Sequence, residues 1–210
     1  MKGLMKKVPI AIVVLACLLG CSSQPPQPAP AEKPKPKPAE FDTGRVAMQR
    51  LYVTARGWAQ DAQPFRLQSQ ATSDSNGHDG KSAVWRASFA SPAGRGVKPY
   101  TWVGTDGVEG SSRGITPGPE DSYSPTNTTT QVFDLAYLKV DTDQALKVAQ
   151  AHGGDKVLEK VPDTPVTYML DWSTSPLALV WHVAYGASRD DTKLVVDVNA
   201  GSGDFMRVEK

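Results

Sequence analysis

Residues 82–91 read SAVWRASFAS, and residues 178–187 read ALVWHVAYGA. Val-Trp coincides at Val84-Trp85 and Val180-Trp181, and an aromatic follows four residues later in each, at Phe89 and Tyr185. Apolar residues at alternate positions place one face of an extended chain against a core, so each stretch predicts a strand with one buried face. A polar turn and a second apolar run follow in both places, at 98–103 (KPYTWV) and 193–198 (KLVVDV). Corresponding positions lie about 95 residues apart, the spacing of an internal duplication.

Upstream of each pair of strands the apolar spacing changes to that of a helix. Met48, Leu51, Tyr52 and Ala55 share a face in the first half, with Asp42 or Thr43 to cap the start and Gly57 near the end. Ala145, Leu146, Ala149 and His152 share one in the second, where Asp141 and Gln144 form a capping-box pattern and Gly153-Gly154 is expected to stop the helix. A further strand is expected after each helix, around Phe65–Leu67 and Val166–Leu170. The fold class is therefore α+β: tandem units, residues 41–104 and 131–210, each a helix with a three-stranded antiparallel sheet. Residues 105–130, rich in Gly, Ser, Thr and Pro, read as the connector between units. Residues 131–134 and 138–140 could add a short strand.

The second unit, from Asp141 to Val208, resembles the PepSY domain, a small α+β module of secreted and lipid-anchored bacterial proteins. The resemblance rests on the alanine-spaced helix, the glycine stop, the strand around Tyr168, the Trp181 strand and the run Leu194–Gly201 (LVVDVNAG). The first unit lacks the Val-Asp ending. The resemblance implies a binding or regulatory role in the cell envelope and carries no catalytic residues with it.

The first 40 residues point to the same compartment. Lys2, Lys6 and Lys7 form a positive start, and Val8 to Gly20 is an apolar stretch of about 13 residues, which suits an export signal better than a permanent membrane span. Leu18-Leu19-Gly20-Cys21 fits a lipobox: a small residue before the cleavage point, then a cysteine whose sulfur takes diacylglycerol and whose freed amine takes a further acyl chain such as palmitate. Val14-Leu15-Ala16-Cys17 is the competing match, with a shorter apolar run before it. Cys21 is thus the expected lipidation site and Cys17 the runner-up. Two or three acyl chains hold a protein on a bilayer stably. Ser22 rather than Asp after Cys21 points to the outer membrane, facing the periplasm. Residues 22–40, with Pro at nearly every second position, read as an extended stalk.

Composition excludes several classes of function. A formal charge of +1 over 210 residues gives no polyanion-binding surface, so no nucleic-acid partner is expected. Both cysteines lie in the signal region, which leaves the exported part without a disulfide, a thiol nucleophile or a thiolate metal site. His78, His152 and His182 show no metal-ligand spacing. The run Asp74–Gly80 has the wrong register for a calcium loop and reads as a turn on Asn76-Gly77. No serine sits in a nucleophile motif, and Asp171 and Asp197 are far apart in sequence, with Asp197 expected at a strand end. No catalytic residue, metal or cofactor is expected. The partners expected are the membrane, through the lipid, and an envelope protein or glycan, met by an edge strand or an exposed aromatic sheet face. The alternatives are an envelope hydrolase, with His152 or His182 beside Asp and Ser, and a peptidoglycan tether through the basic stalk.

Overall fold

The computed structural model describes residues 37–128, 130–188 and 190–209. Both cysteines and nearly all of the expected stalk lie outside these residues. Among the described residues no helix is long and apolar enough to cross a membrane.

The strands form in the chain order β1 Asp42–Thr43, β2 Gln63–Gln70, β3 Lys81–Ser82, β4 Val84–Ser91, β5 Gly96–Val103, β6 Gly114–Pro117, β7 Asp121–Ser122, β8 Val166–Thr174, β9 Leu177–Tyr185, β10 Leu194–Asn199 and β11 Phe205–Glu209. Helix α1 spans Gly44–Trp58, α2 spans Thr142–Ala149 and α3 spans Asp155–Lys160. The structure is α+β, with antiparallel pairing in every ladder of the main sheet.

The two helix-and-three-strand runs share one sheet. Its order is β11-β10-β9-β8-β2-β4-β5-β6, with β7 also paired to β5. The join is β2 against β8, in the register Arg66 to Asp171, Leu67 to Leu170 and Gln68 to Met169. Reading outward from that join, each side presents its first, second and third strand in turn. From Lys37 onward the chain is one compact unit.

The helices cover one face. Ala47, Met48, Leu51 and Ala55 of α1 and Ala145, Leu146 and Ala149 of α2 are buried with Leu67, Trp85, Phe89, Tyr168, Leu170, Trp181 and Tyr185 in one apolar cluster. The Trp pair seen in the sequence is the symmetric centre of that cluster. Trp85 Nε1 donates to Asp42 O at 2.9 Å, and Trp181 Nε1 donates to Val140 O at 2.9 Å. Each acceptor is the residue just before the cap of its own half's helix, Thr43 or Asp141. Each tryptophan thereby ties the second strand of its half to the start of the helix that packs on it.

Several expectations need correction. Gly153-Gly154 does break the helix as expected, with His152 and Gly153 leaving helical dihedrals and Gly153 at φ 117°, but a short further helix, α3, starts straight after the kink. A positive-φ residue there turns the chain at little cost because glycine has no Cβ. Residues 131–140 hold a 3-10 turn, Leu135–Tyr137, rather than a strand. The 105–130 segment is not structureless, since β6 and β7 extend the sheet beyond β5. Arg113, from the same segment, donates to the carbonyl of Lys37 at 3.0 Å and pairs with Glu40 at 3.1 Å. Asn76-Gly77 belongs to a longer loop joining β2 to β4, with Gly77 at φ 77°, not to a two-residue hairpin. β11 had no counterpart in the sequence reading.

Candidate functional site

Among the described residues the other face of the sheet carries no helix, and alternation fixes what it displays. With Trp181 turned to the helices, His182 points to the opposite side, and pairing carries that side to Met169 on β8 and Asp197 on β10. Asp197 in turn pairs with Arg207 on β11, and Met169 with Gln68 on β2. Two residues along, on the same face, Asp171 stands opposite Arg66.

These residues form a continuous charged row. Arg66 Nη2 donates to Asp171 Oδ2 at 3.2 Å. Asp171 Oδ1 lies 3.1 Å from His182 Nε2, and His182 Nδ1 lies 2.6 Å from Asp197 Oδ1. Arg207 Nε is 2.9 Å from Asp197 Oδ2, and its Nη2 is 2.6 Å from Glu209 Oε1. Positive and negative groups alternate across four strands and the β2 edge of the first half. Burial is deepest at the middle: Asp197 is 1% exposed and His182 14%, while both arginines are 46% exposed.

The imidazole responds to this setting. Burial disfavours its charge, but hydrogen bonds to Asp171 and Asp197 and the charges of both carboxylates outweigh that and raise its pKa from 6.5 to about 9. Burial raises the Asp171 carboxyl, and the opposing hydrogen bond and charge of His182 with the Arg66 guanidinium bring it below its ordinary value. At neutral pH His182 is therefore protonated and Asp171 ionised, an oppositely charged pair at the middle of the row. A broad depression of about 570 Å³ opens beside it, bordered by Arg66, Gln68, Met169, His182, Thr192 and Glu209.

The structure scatters the remaining candidates. His78 Nε2 lies 2.8 Å from Thr164 O, in the β2–β4 loop. His152 is exposed, not on the apolar side of its helix; it stacks on Phe205 with centroids 3.8 Å apart and its Nδ1 lies 2.8 Å from Val148 O. In the Asp74–Gly80 run the acids serve the loop: Asp79 accepts the Lys81 amide at 3.0 Å and Asp74 the Thr105 hydroxyl at 3.3 Å. Asp197 does not end its strand but sits within β10. Asp171 and Asp197, separate in sequence, meet on either side of His182. The strand aromatics are core, the default that alternation gives, and not an exposed sheet face: Trp85, Tyr100, Trp102, Trp181 and Tyr185 are buried on the helix side, and Trp172 is half-buried with Tyr137 edge-on at 5.3 Å. The open face is charged and polar instead.

Chemically, the row does not offer a free base. Both ring nitrogens of His182 are held by carboxylates, and no hydroxyl lies within hydrogen-bond reach of either nitrogen among the described residues. Sequence spacing does not show that His182, Asp197 and Glu209 meet, with possible donor atoms within 4.8 Å of one another, close enough that they could hold a metal ion.

No family model matches the chain, and no curated protein matches it. Among solved structures the chain is similar to a crystal structure described as a "putative lipoprotein" from Clostridium difficile 630, with a TM-score of 0.52 and 12% identity. The match covers 81% of this chain and 95% of that one. At that identity the likeness is one of fold.

Proposed function

We propose that this chain is a lipid-anchored cell-envelope module that binds a partner through the open face of its sheet and performs no catalysis. The observation that carries the reading is the polar face itself: six acidic and basic side chains paired in a row across adjacent strands, beside a depression, on the side the helices leave free. A surface needed only for solubility has no reason to bury a carboxylate and an imidazole in a fixed row.

The anchor is Cys21, held off the membrane by the Pro-rich stalk, and the location is the outer membrane facing the periplasm. The lipobox supports this, and the fold shared with a protein described as a lipoprotein agrees with it. Within that reading the halves are a PepSY-like pair fused edge to edge. The partner is an envelope protein or glycan carrying groups of both charges, complementary to a face on which signs alternate. An envelope hydrolase is disfavoured, because the one histidine placed between acids has no nitrogen left to take a proton from a nucleophile.

Crosslinking and capture of the intact protein from envelopes, against a Cys21→Ser control, tests the reading. The wild type is expected in the membrane fraction with a reproducible partner, and C21S in the soluble fraction without it. Equal membrane association of C21S, or no partner for the wild type, would count against the proposal.

A further inference from the structure

We propose that His182, Asp197 and Glu209 form a mononuclear divalent-metal site on the open sheet face, with zinc the ion whose ligand chemistry fits best. The three come from adjacent strands, β9, β10 and β11, and their donor atoms lie within 4.8 Å of one another. One imidazole and two carboxylates, with positions left for water, is the donor set of an open zinc site.

The geometry needs only small adjustment. Ligand atoms around a tetrahedral zinc stand about 3.4 Å apart when the bonds are about 2.1 Å. His182 Nδ1 and Asp197 Oδ1 are at 2.6 Å, so a metal replacing the proton between them opens that gap by under about 1 Å. Glu209 closes the remainder from the end of β11, where its side chain is 44% exposed and free to change rotamer.

The surroundings are those of a prepared ligand. Asp171 holds the far nitrogen, Nε2, at 3.1 Å and is itself held by Arg66 at 3.2 Å. A carboxylate on the far nitrogen of an imidazole fixes the tautomer that points a lone pair at a metal and makes that lone pair more basic. Asp197 is almost completely buried, so its direction is set by packing. His182 and Glu209 both border the depression, which gives an ion and its waters a way in.

Arg207 is the competitor. Its guanidinium bridges Asp197 and Glu209 in the metal-free protein, at 2.9 and 2.6 Å. It is 46% exposed and can withdraw into solvent when an ion takes its place. Binding therefore exchanges the Nδ1 proton, released to solvent, and both arginine contacts for a metal bound to nitrogen and two oxygens.

The test is a zinc titration of the full chain, freed of metal with EDTA and carrying no affinity tag, read by calorimetry and by competition with a chromophoric chelator. One ion per chain is expected. Asp171→Asn should weaken binding about 10- to 100-fold, and Glu209→Gln, on an exposed strand end where folding is not at stake, at least about tenfold. Arg207→Ala should tighten it, because the guanidinium that competes for Asp197 and Glu209 is gone. The proposal is overturned if zinc does not bind, or if Glu209→Gln binds it as tightly as the wild type.

Discussion

Asp141 and Arg45 lie 96 residues apart, yet the Asp141 carboxylate accepts the Arg45 backbone amide at 2.9 Å. The same carboxylate accepts the Thr142 amide at 2.8 Å at the start of its own helix and the Thr43 hydroxyl at 2.7 Å. Thr43 makes no capping bond with its own side chain. One acid therefore caps both helices, where the two halves of the fold meet.

A shared cap should cost more to remove than an ordinary one. Losing a single cap typically destabilises by about 1 kcal/mol. Asp141→Ala should cost roughly 2–4 kcal/mol, since both helices lose first-turn acceptors. Urea unfolding measures it, and a loss no larger than that of one ordinary cap would mean that α1 does not depend on Asp141.

Gly44 and Gly57 should respond to alanine with opposite signs. Both lie in α1, where alanine normally gains about 0.5–1 kcal/mol over glycine. A Cβ on Gly57 meets nothing within 4 Å, so Gly57→Ala should stabilise. A Cβ on Gly44 would stand 2.4 Å from Trp181 Cη2, so Gly44→Ala should destabilise by roughly 1–3 kcal/mol. Thermal melts of the two variants decide it, and a stabilised Gly44→Ala would remove the close approach of α1 to the second half.

The two tryptophans should behave as a matched pair. Trp85→Phe and Trp181→Phe each leave a buried carbonyl, Asp42 O or Val140 O, without its indole donor. Each loss should be roughly 1–3 kcal/mol from the hydrogen bond, with a packing loss added. Similar values by denaturant unfolding are expected, and a large effect at one site beside none at the other would break the equivalence of the halves.

Stability of the metal-free protein should fall as pH rises above neutrality. The folded state raises the His182 pKa from 6.5 to about 9, so folding favours the protonated ring. That contribution is complete below pH about 6.5, shrinks above it, and is lost as pH passes about 9. Its size is on the order of 3 kcal/mol. Unfolding free energies in EDTA across this window should show the loss in the wild type and not in His182→Gln. Parallel curves would mean that the ring is not charged in the fold.

Much of the scaffold is legible in the sequence because it rests on local periodicity. The strands around Trp85 and Trp181, the apolar faces of α1 and α2 and the Asp141–Gln144 capping box follow from spacing alone. What escaped was decided by contacts between distant residues. The join of β2 to β8 is a matter of register, which one sequence does not carry. β11 is short and mostly exposed, so it has no buried alternation to find. The break at Gly153 is legible, but α3 beyond it has only 6 residues, too few to show a helical period. The charged row is of the same kind. Alternation alone places His182 opposite Trp181, and the ladders β8–β9–β10 then bring Asp171 and Asp197 to its two sides.

The open charged face is the proposed working surface. A photo-crosslinking residue placed at Gln68, within that face, compared with one at Val53 on the exposed side of α1, tests it most directly in intact envelopes. A reproducible adduct is expected from position 68, lost when Arg66 and Arg207 are both changed to alanine, and none from position 53. Adducts from position 53 alone, or equal labelling from both, would contradict it.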